Sequence, residues 1–565
     1  MVLNTIIFLL TFYLLLISTL GYGLIFNNLF FSKIINFDNE NIIHFGFFGL
    51  FSLTFISIFS SLFFSHNFIH NLIIHIAGIL YFIIIKAKNK NNYLKLIFYI
   101  SVILLSALFI SKTHDDFSYY HLPFTNYLTE QKVVFGMGNI GHGYNLLSSL
   151  FFLNSLFYLP YLEHFSFHFG LLFFLIFFNF FIFKEIQNKN NDRAIKFLYL
   201  LSLTYFNLSF NRLAEYGTDK AGQLLIVILI IKLLQITCFD KKKIQFQNIL
   251  YLIPLFILCI SLKTYFLSYS LLALVVLIIN YKRLLKIDLK LLVKTLTVSL
   301  IFLILYFTHH LIATGCLISP LSFTCYGDDL FWAKNINYYE RLAQWLELWS
   351  KAGAGPNFRV QDTLVYLQNL NWFSNWIEKY FLVKFLDQIG IFLAAFLMII
   401  FFFKKLTFDF GNSQKNKNNL KIIIFYFTII IIFLIWFFNH PQLRYGGYSI
   451  FFLTVSIPLA IFFSKLKDKN FFEKKFIIFI FVIATIFNFK NFNRLNNEFK
   501  RTDLYKYDNF PFFSIPEIKY IEQKNDINFK IYRTDGHCWN VPSPCIDNEN
   551  KIKVKNLFGY YFLYR

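Results

Sequence analysis

An acidic pair stands directly after a long apolar run. His114-Asp115-Asp116-Phe117-Ser118-Tyr119-Tyr120-His121-Leu122-Pro123 follows the apolar segment 94–110. Two adjacent carboxylates at a membrane boundary are costly to desolvate unless a proton, a cation or a partner compensates them. A general base or a divalent-metal ligand meets that condition. A helix cap is the competing role, because Thr113 with Asp116 three residues on is a capping-box pattern and acids favour a first helical turn. If a helix starts after Thr113, Asp116 shares a face with both Tyr119 and Tyr120, and Asp115 shares one with Tyr119 alone. Their rings can pack on a ligand and their hydroxyls can orient the carboxylate, which makes Asp116 the expected base and Asp115 its orienting partner or a metal ligand. The same stretch continues through Gly136-Met137-Gly138-Asn139-Ile140-Gly141-His142-Gly143. These glycines permit a sharp turn or a close approach of backbone to ligand, with His142 among the candidate ligand-binding residues.

Two further polar clusters interrupt apolar sequence. In Asn211-Arg212-Leu213-Ala214-Glu215-Tyr216-Gly217-Thr218-Asp219-Lys220, Arg212 and Lys220 can engage a phosphate, one with a planar fork and the other as a point charge. Glu215 and Asp219 can pair with those bases, in an internal ion network or as cation ligands. In Asn439-His440-Pro441-Gln442-Leu443-Arg444-Tyr445, Arg444 is either a phosphate anchor or a side chain that snorkels to headgroups, and Lys263 has the same two readings. If a divalent cation, magnesium or manganese, takes part, Asp115 and Asp219 are its expected ligands. No other cofactor is expected. No Walker loop, GxGxxG, HExxH or GxSxG occurs in the chain.

The elements that must position these residues are membrane helices. Of 565 residues, 57% are hydrophobic and 15% charged, which excludes an ordinary soluble enzyme. Runs such as 5–32, 43–65, 94–110 and 420–438 are long enough to cross a bilayer and too continuous for the alternating strands of a β-barrel. The first run lacks the basic n-region of a cleaved signal peptide and is too long for one. The net charge of +22 collects in short loops and is assigned to the positive-inside rule, not to nucleic acid. The basic loops are Lys86–Lys90, Lys184–Lys196, Lys241–Lys243, Lys282–Lys290, Lys404–Lys421 and Lys465–Lys475. Placed on one face, they send 111–164, 211–220, a hairpin near Lys263, 312–388, 439–446 and the tail from about 492 to the other.

The apolar segment 146–160 is too short to cross and is read as interfacial or re-entrant, which leaves about 13 or 14 crossings. The expected fold is an all-α polytopic membrane protein with small outer loop and tail regions. It divides into N-terminal spans (1–110), an outer loop with the acidic motif (111–164), a membrane core (165–311), a large outer loop (312–388), C-terminal spans (389–491) and an outer tail (492–565). Cys316 with Cys325, and Cys538 with Cys545, are close pairs on the face that charge makes non-cytoplasmic, so two local disulfides are expected. The rival reading for each pair is a metal site.

With Asp115-Asp116 in DDFSYYHLP after an early span, and Asp219 in a second outer loop, the chain resembles the GT-C integral-membrane glycosyltransferases, which include the protein mannosyltransferase and aminoarabinose transferase families. The resemblance covers 94–311 best. It implies transfer of a sugar from a polyprenyl-phosphate carrier to a glycan, lipid or protein acceptor at the outer face, in a bacterial inner membrane with the site toward the periplasm. Asp116 and Asp115 would be catalytic. Tyr119, Tyr120, His121, His142, Arg212, Glu215, Asp219, Lys220, Lys263 and Arg444 would bind substrate, the cations on its phosphate. A polysaccharide polymerase or ligase is the alternative and would lean on Arg444, Arg341 and Arg359. A transporter or flippase would need ionisable residues near the midplane of its spans, and the long runs hold almost none.

Overall fold

The computed structural model describes residues 2–31, 43–88, 93–109, 116–209, 217–239, 243–327, 329–355, 358–402, 418–466, 475–506, 514–523, 527, 529–546 and 552–565. The first four helices are α1 (Val2–Phe30), α2 (Ile43–Ser60), α3 (Phe68–Lys88) and α4 (Tyr93–Ile103). The acidic loop region holds α5 (Leu122–Glu130) and α6 (Ser149–Leu156). The core follows with α7 (Phe169–Gln187), α8 (Arg193–Leu208), α9 (Asp219–Leu234), α10 (Leu252–Leu262), α11 (Ser270–Ile279), α12 (Tyr281–Leu284) and α13 (Leu289–Thr314). The large loop contributes α14 (Ile336–Ser350), α15 (Thr363–Leu367), α16 (Phe373–Trp376) and the two short strands β1 (Ala354–Gly355) and β2 (Phe358–Arg359). Last come α17 (Leu386–Phe402), α18 (Asn418–Asn439), α19 (Tyr448–Ser464) and α20 (Phe476–Arg501).

The protein is an all-α polytopic membrane protein. Among the described residues nine helices are long and apolar enough to cross a bilayer, and four shorter apolar helices cover 45–60, 94–103, 246–262 and 264–279. The expected 13 or 14 crossings counted these shorter segments as full spans. Two of them are only partly α-helical, since 243–251 and 264–269 are 3₁₀ turns that precede α10 and α11, and a further 3₁₀ turn, 105–109, follows α4. A 3₁₀ turn rises more per residue than an α-helix, so such a segment reaches further than its α-helical length suggests.

Burial divides the helices into a centre and a rim. In α7 and α9, 94% of the apolar window is buried within the protein, against 22% in α3 and α13. Rim helices keep apolar faces outward because lipid is as good an apolar solvent as leucine. Within the N-terminal group, α1 and α2 approach so closely that a Cβ at Gly23 or Gly49 would overlap the carbonyls of Phe45 and Thr19. Small residues at helix contacts of this kind are a membrane packing device. Segment 146–160 contains α6, Ser149–Leu156, eight residues that are all buried within the protein. Ser148 caps it, accepting from the Leu150 amide.

The outer regions interlock. The tail pairs β3 (Ile521–Gln523) with β4 (Ile531–Arg533), β4 with β5 (Cys545–Ile546), and β6 (Lys553–Leu557) with β7 (Tyr560–Tyr564). Strand β7 clasps Phe135, whose amide donates to Tyr561 and whose carbonyl accepts from Leu563. Asn139 donates to the Trp332 carbonyl at 2.7 Å, and the Trp539 amide donates to Ser118 at 3.0 Å. The described parts of 116–164, 312–372 and 514–565 therefore pack together, whereas 373–388, expected in the outer loop, begins a helix long enough to cross a bilayer, Phe373–Phe402. Both expected disulfides are present, Cys316–Cys325 and Cys538–Cys545, while Cys238 and Cys259 are buried free thiols.

Candidate active site

Five helix ends converge beneath those outer segments: the starts of α9 and α19 and the ends of α10, α13 and α18. They surround a cavity of about 310 Å³. Asp219, Lys263 and Arg444 on its wall join Asp116 in one ionic cluster drawn from four separate parts of the chain. Arg444 donates from Nη2 to Asp116 Oδ2 at 2.9 Å, and its Nε stands 3.4 Å from Asp219 Oδ2. Lys263 pairs with Asp219 Oδ1 and donates to the Arg444 carbonyl at 3.0 Å. Lys263 also lies 4.8 Å above the Tyr445 ring. Two carboxylates and two cations thus balance among the described residues, which is what charges in a largely desolvated setting require.

Local chain geometry aims each member. Asp219 opens α9 and Lys263 is the extended residue that stops α10, so both side chains leave a helix end toward the cavity. Arg444 sits in the break between α18 and α19, where Gly446 takes φ +79° and Tyr445 is non-helical. Gly446 is left-handed, and a Cβ there would press on the Tyr265 ring, so both conformation and space call for glycine. Gln223, one turn into α9, clamps both sides of this break. Its Nε2 donates to the Leu443 carbonyl at 3.2 Å and its Oε1 accepts from the Ser449 amide at 3.0 Å. The Tyr380 hydroxyl accepts from the Leu443 amide at 2.7 Å, and Trp376 donates to the Pro441 carbonyl at 2.8 Å.

Asp116 precedes a π-helical turn, Phe117–His121, and makes no capping hydrogen bond to it. Its carboxylate goes to Arg444 instead. Thr113, the other half of the capping box, lies outside the described residues, as do Asp115, Arg212 and Glu215. The wide turn separates the two tyrosines expected beside Asp116. Tyr120 lines the cavity, and burial together with the nearby Asp116 charge holds its phenol well above the ordinary range, so it stays protonated. Tyr119 turns away, with its hydroxyl 2.9 Å from His142 Nδ1 and its ring 5.6 Å from that of His537. His142 is exposed, and His121 is buried against Tyr120 and Phe151; neither lines the cavity.

Lys220 departs furthest from expectation. It is buried, donates from Nζ to the Ser209 carbonyl at 2.7 Å, and lies 5.1 Å from the Phe206 ring. Neighbours on a helix diverge by about 100°, so Asp219 meets the cavity while Lys220 points into the bundle, and the phosphate contact expected of it has no counterpart there. Arg341 and Arg359 are exposed and off the cavity wall. As for a cation, no group of three or more His, Cys, Asp or Glu gathers among the described residues. Both oxygens of Asp219 face cations, and its expected partner in metal binding, Asp115, lies outside the described residues.

Gln223, Tyr265, His310 and Ser319 were not singled out from sequence. Gln223 had a readable signal, a polar residue in apolar α9 one turn after Asp219. His440 belongs to a cluster that was singled out and also lines the cavity, where burial lowers its pKa and keeps it neutral.

Residues 5–452 match the model of a family described as a domain of unknown function, DUF8201. No curated protein and no solved structure matches the chain. The matched range holds all four charged residues of the cluster and ends within α19.

Proposed function

The chain belongs to that DUF8201 family, and from the site it carries we propose that it is an integral-membrane glycosyltransferase moving a sugar from a polyprenyl-phosphate donor to an acceptor hydroxyl. One observation carries the reading: Asp219, Lys263 and Arg444 meet on the wall of a mostly apolar and aromatic cavity, and Arg444 joins Asp116 to them. An apolar cavity with convergent cations suits a lipid that ends in phosphate.

When the donor phosphate enters, it competes with Asp116 for the Arg444 guanidinium. The displaced carboxylate is then available as a base. Asp116 takes the proton of the acceptor hydroxyl, the acceptor oxygen bonds to the anomeric carbon, and the carbon–oxygen bond to phosphate breaks with its electron pair left on the phosphate oxygen. Arg444 and Lys263 balance the charge that develops there. Phosphate leaves readily, so no separate acid is needed and the configuration inverts. The positive-inside rule supports a site on the extracytoplasmic face, and the family resemblance adds the periplasmic side of a bacterial inner membrane to the proposal.

The test is transfer of labelled sugar from a polyprenyl-phosphate sugar by purified protein in proteoliposomes. Asp116→Asn keeps the shape and removes the base, with an expected loss of about 10²–10⁴-fold in rate. Near-wild-type transfer by a folded Asp116→Asn variant would sink the reading.

A further inference from the structure

The ionic cluster occupies only part of the cavity wall. Elsewhere that wall is made by the last turn of α13 and by the loop that the Cys316–Cys325 disulfide closes, which contributes Ile318, Ser319, Pro320 and Leu321. Two buried polar side chains face the cavity from these elements. His310 is 1% exposed and Ser319 3% exposed. Neither ring nitrogen of His310 and not the Ser319 hydroxyl has a hydrogen-bond partner among the described residues. Among the described histidines, His310 alone has both ring nitrogens buried and unpartnered. The neighbouring His309 has one anchored, Nε2 lying 2.8 Å from the Ile58 carbonyl.

A buried polar group without a partner costs stability, so a protein keeps one where something else satisfies it. We propose that His310 and Ser319 form a second, uncharged subsite of the cavity that binds the hydroxyl groups of a sugar. The chemistry selects this class. A neutral imidazole offers one donor and one acceptor, and a serine hydroxyl offers both, which matches groups that themselves donate and accept. An anion would find no cation at this pair, since the cations lining the cavity, Lys263 and Arg444, belong to the other cluster. A wholly apolar ligand would leave three polar atoms unsatisfied. Leu146, Leu147 and Leu321 supply apolar wall for a sugar's carbon face.

The inference rests on the lipid-phosphate reading for what occupies the ionic wall, so the test separates the two. Binding of citronellyl phosphate, and of its glucosyl, mannosyl, galactosyl and arabinosyl esters, is measured by calorimetry on the full chain in nanodiscs. The wild type is expected to bind at least one glycosyl ester about tenfold more tightly than the bare phosphate, in line with one or two added hydrogen bonds. His310→Phe and Ser319→Ala should each erase most of that preference and leave the affinity for citronellyl phosphate unchanged. His310→Phe should also melt no lower than the wild type, which a structural histidine would not allow. If His310→Phe fails to fold, Ser319→Ala carries the comparison. Binding of bare phosphate with no sugar preference, or a preference that survives in both variants, overturns the subsite alone. Failure of the wild type to bind any of the five overturns the subsite and the lipid-phosphate reading together.

Discussion

Helix α9 holds a charged cluster at each end, about 20 Å apart at 1.5 Å per residue, and the two are built on different terms. At its C-terminal end Lys232 pairs with Glu185 of α7 at 2.7 Å and donates to Gln235 at 3.1 Å. Gln235 donates to Asn191 at 2.7 Å, and Asn191 returns to Glu185 at 2.8 Å. Four side chains close a ring, and none of them lines the cavity. At the other end Asp219 joins Lys263, Arg444 and Asp116, where Arg444 and Asp116 keep side-chain exposures of 25% and 23%. The guanidinium makes one side-chain hydrogen bond among the described residues and holds Asp219 at a looser 3.4 Å. A saturated ring rigidifies the packing of α7 on α9, whereas the other cluster keeps a guanidinium and a carboxylate accessible to something that arrives.

That contrast breaks first if the ring is cut. Lys232→Met leaves Glu185 buried without its cation and should destabilise the protein by about 3–5 kcal/mol in a dodecyl sulfate unfolding titration. Transfer per folded molecule should not change. Adding Glu185→Gln to the same chain should recover most of the loss, because two neutral side chains no longer need each other. A large rate defect in folded Lys232→Met would mean that the two ends of α9 are not independent.

A smaller effect is expected from Arg444→Lys, which retains the charge and loses the fork. Its transfer rate should fall by about 10²-fold, the scale of one lost donor to a developing oxyanion, with an unfolding midpoint close to wild type. A midpoint shift as large as that of Lys232→Met, without the rate loss, would make the open cluster a second structural pair.

Gln223→Leu should have the smallest effect and a mixed one. It strips partners from the Leu443 carbonyl and the Ser449 amide at a cost of about 1–3 kcal/mol. As a positioning residue for Arg444, Gln223 should influence KM for the lipid-phosphate donor more than kcat, and Gln223→Glu, which still accepts from Ser449, should recover part of the loss. Equal changes in kcat and KM for acceptor and donor would remove it from that role.

The two disulfide loops also divide the work. The Cys316–Cys325 loop forms cavity wall. The Cys538–Cys545 loop instead props the turn that follows Asp116, the Trp539 amide donating to the Ser118 carbonyl at 3.0 Å, and the end of α5, the Ser543 amide donating to Glu130 at 2.7 Å. Both pairings are readable from close spacing together with the charge pattern of the loops, but which loop touches which part of the site is not.

Polarity against an apolar background was legible without coordinates. Composition sets the class, because segments such as 420–438 have nowhere to go but a bilayer or a large core. Charge beside such segments marked Asp116, Asp219, Lys263 and Arg444, because an ionised group there must find a partner. What those four residues do for one another was decided only by tertiary structure. Asp116 and Arg444 lie 328 positions apart, and no local rule links them. Asp219 and Lys220 look alike in sequence, yet one helical step sends the first to the cavity and the second to the Ser209 carbonyl. Nor could composition tell the buried α7 and α9 from the lipid-facing rim, since both kinds of helix are apolar all round. In water an apolar surface announces that it is buried, but in lipid it does not, so in this protein the sequence names the helices and only packing decides which of them build the site.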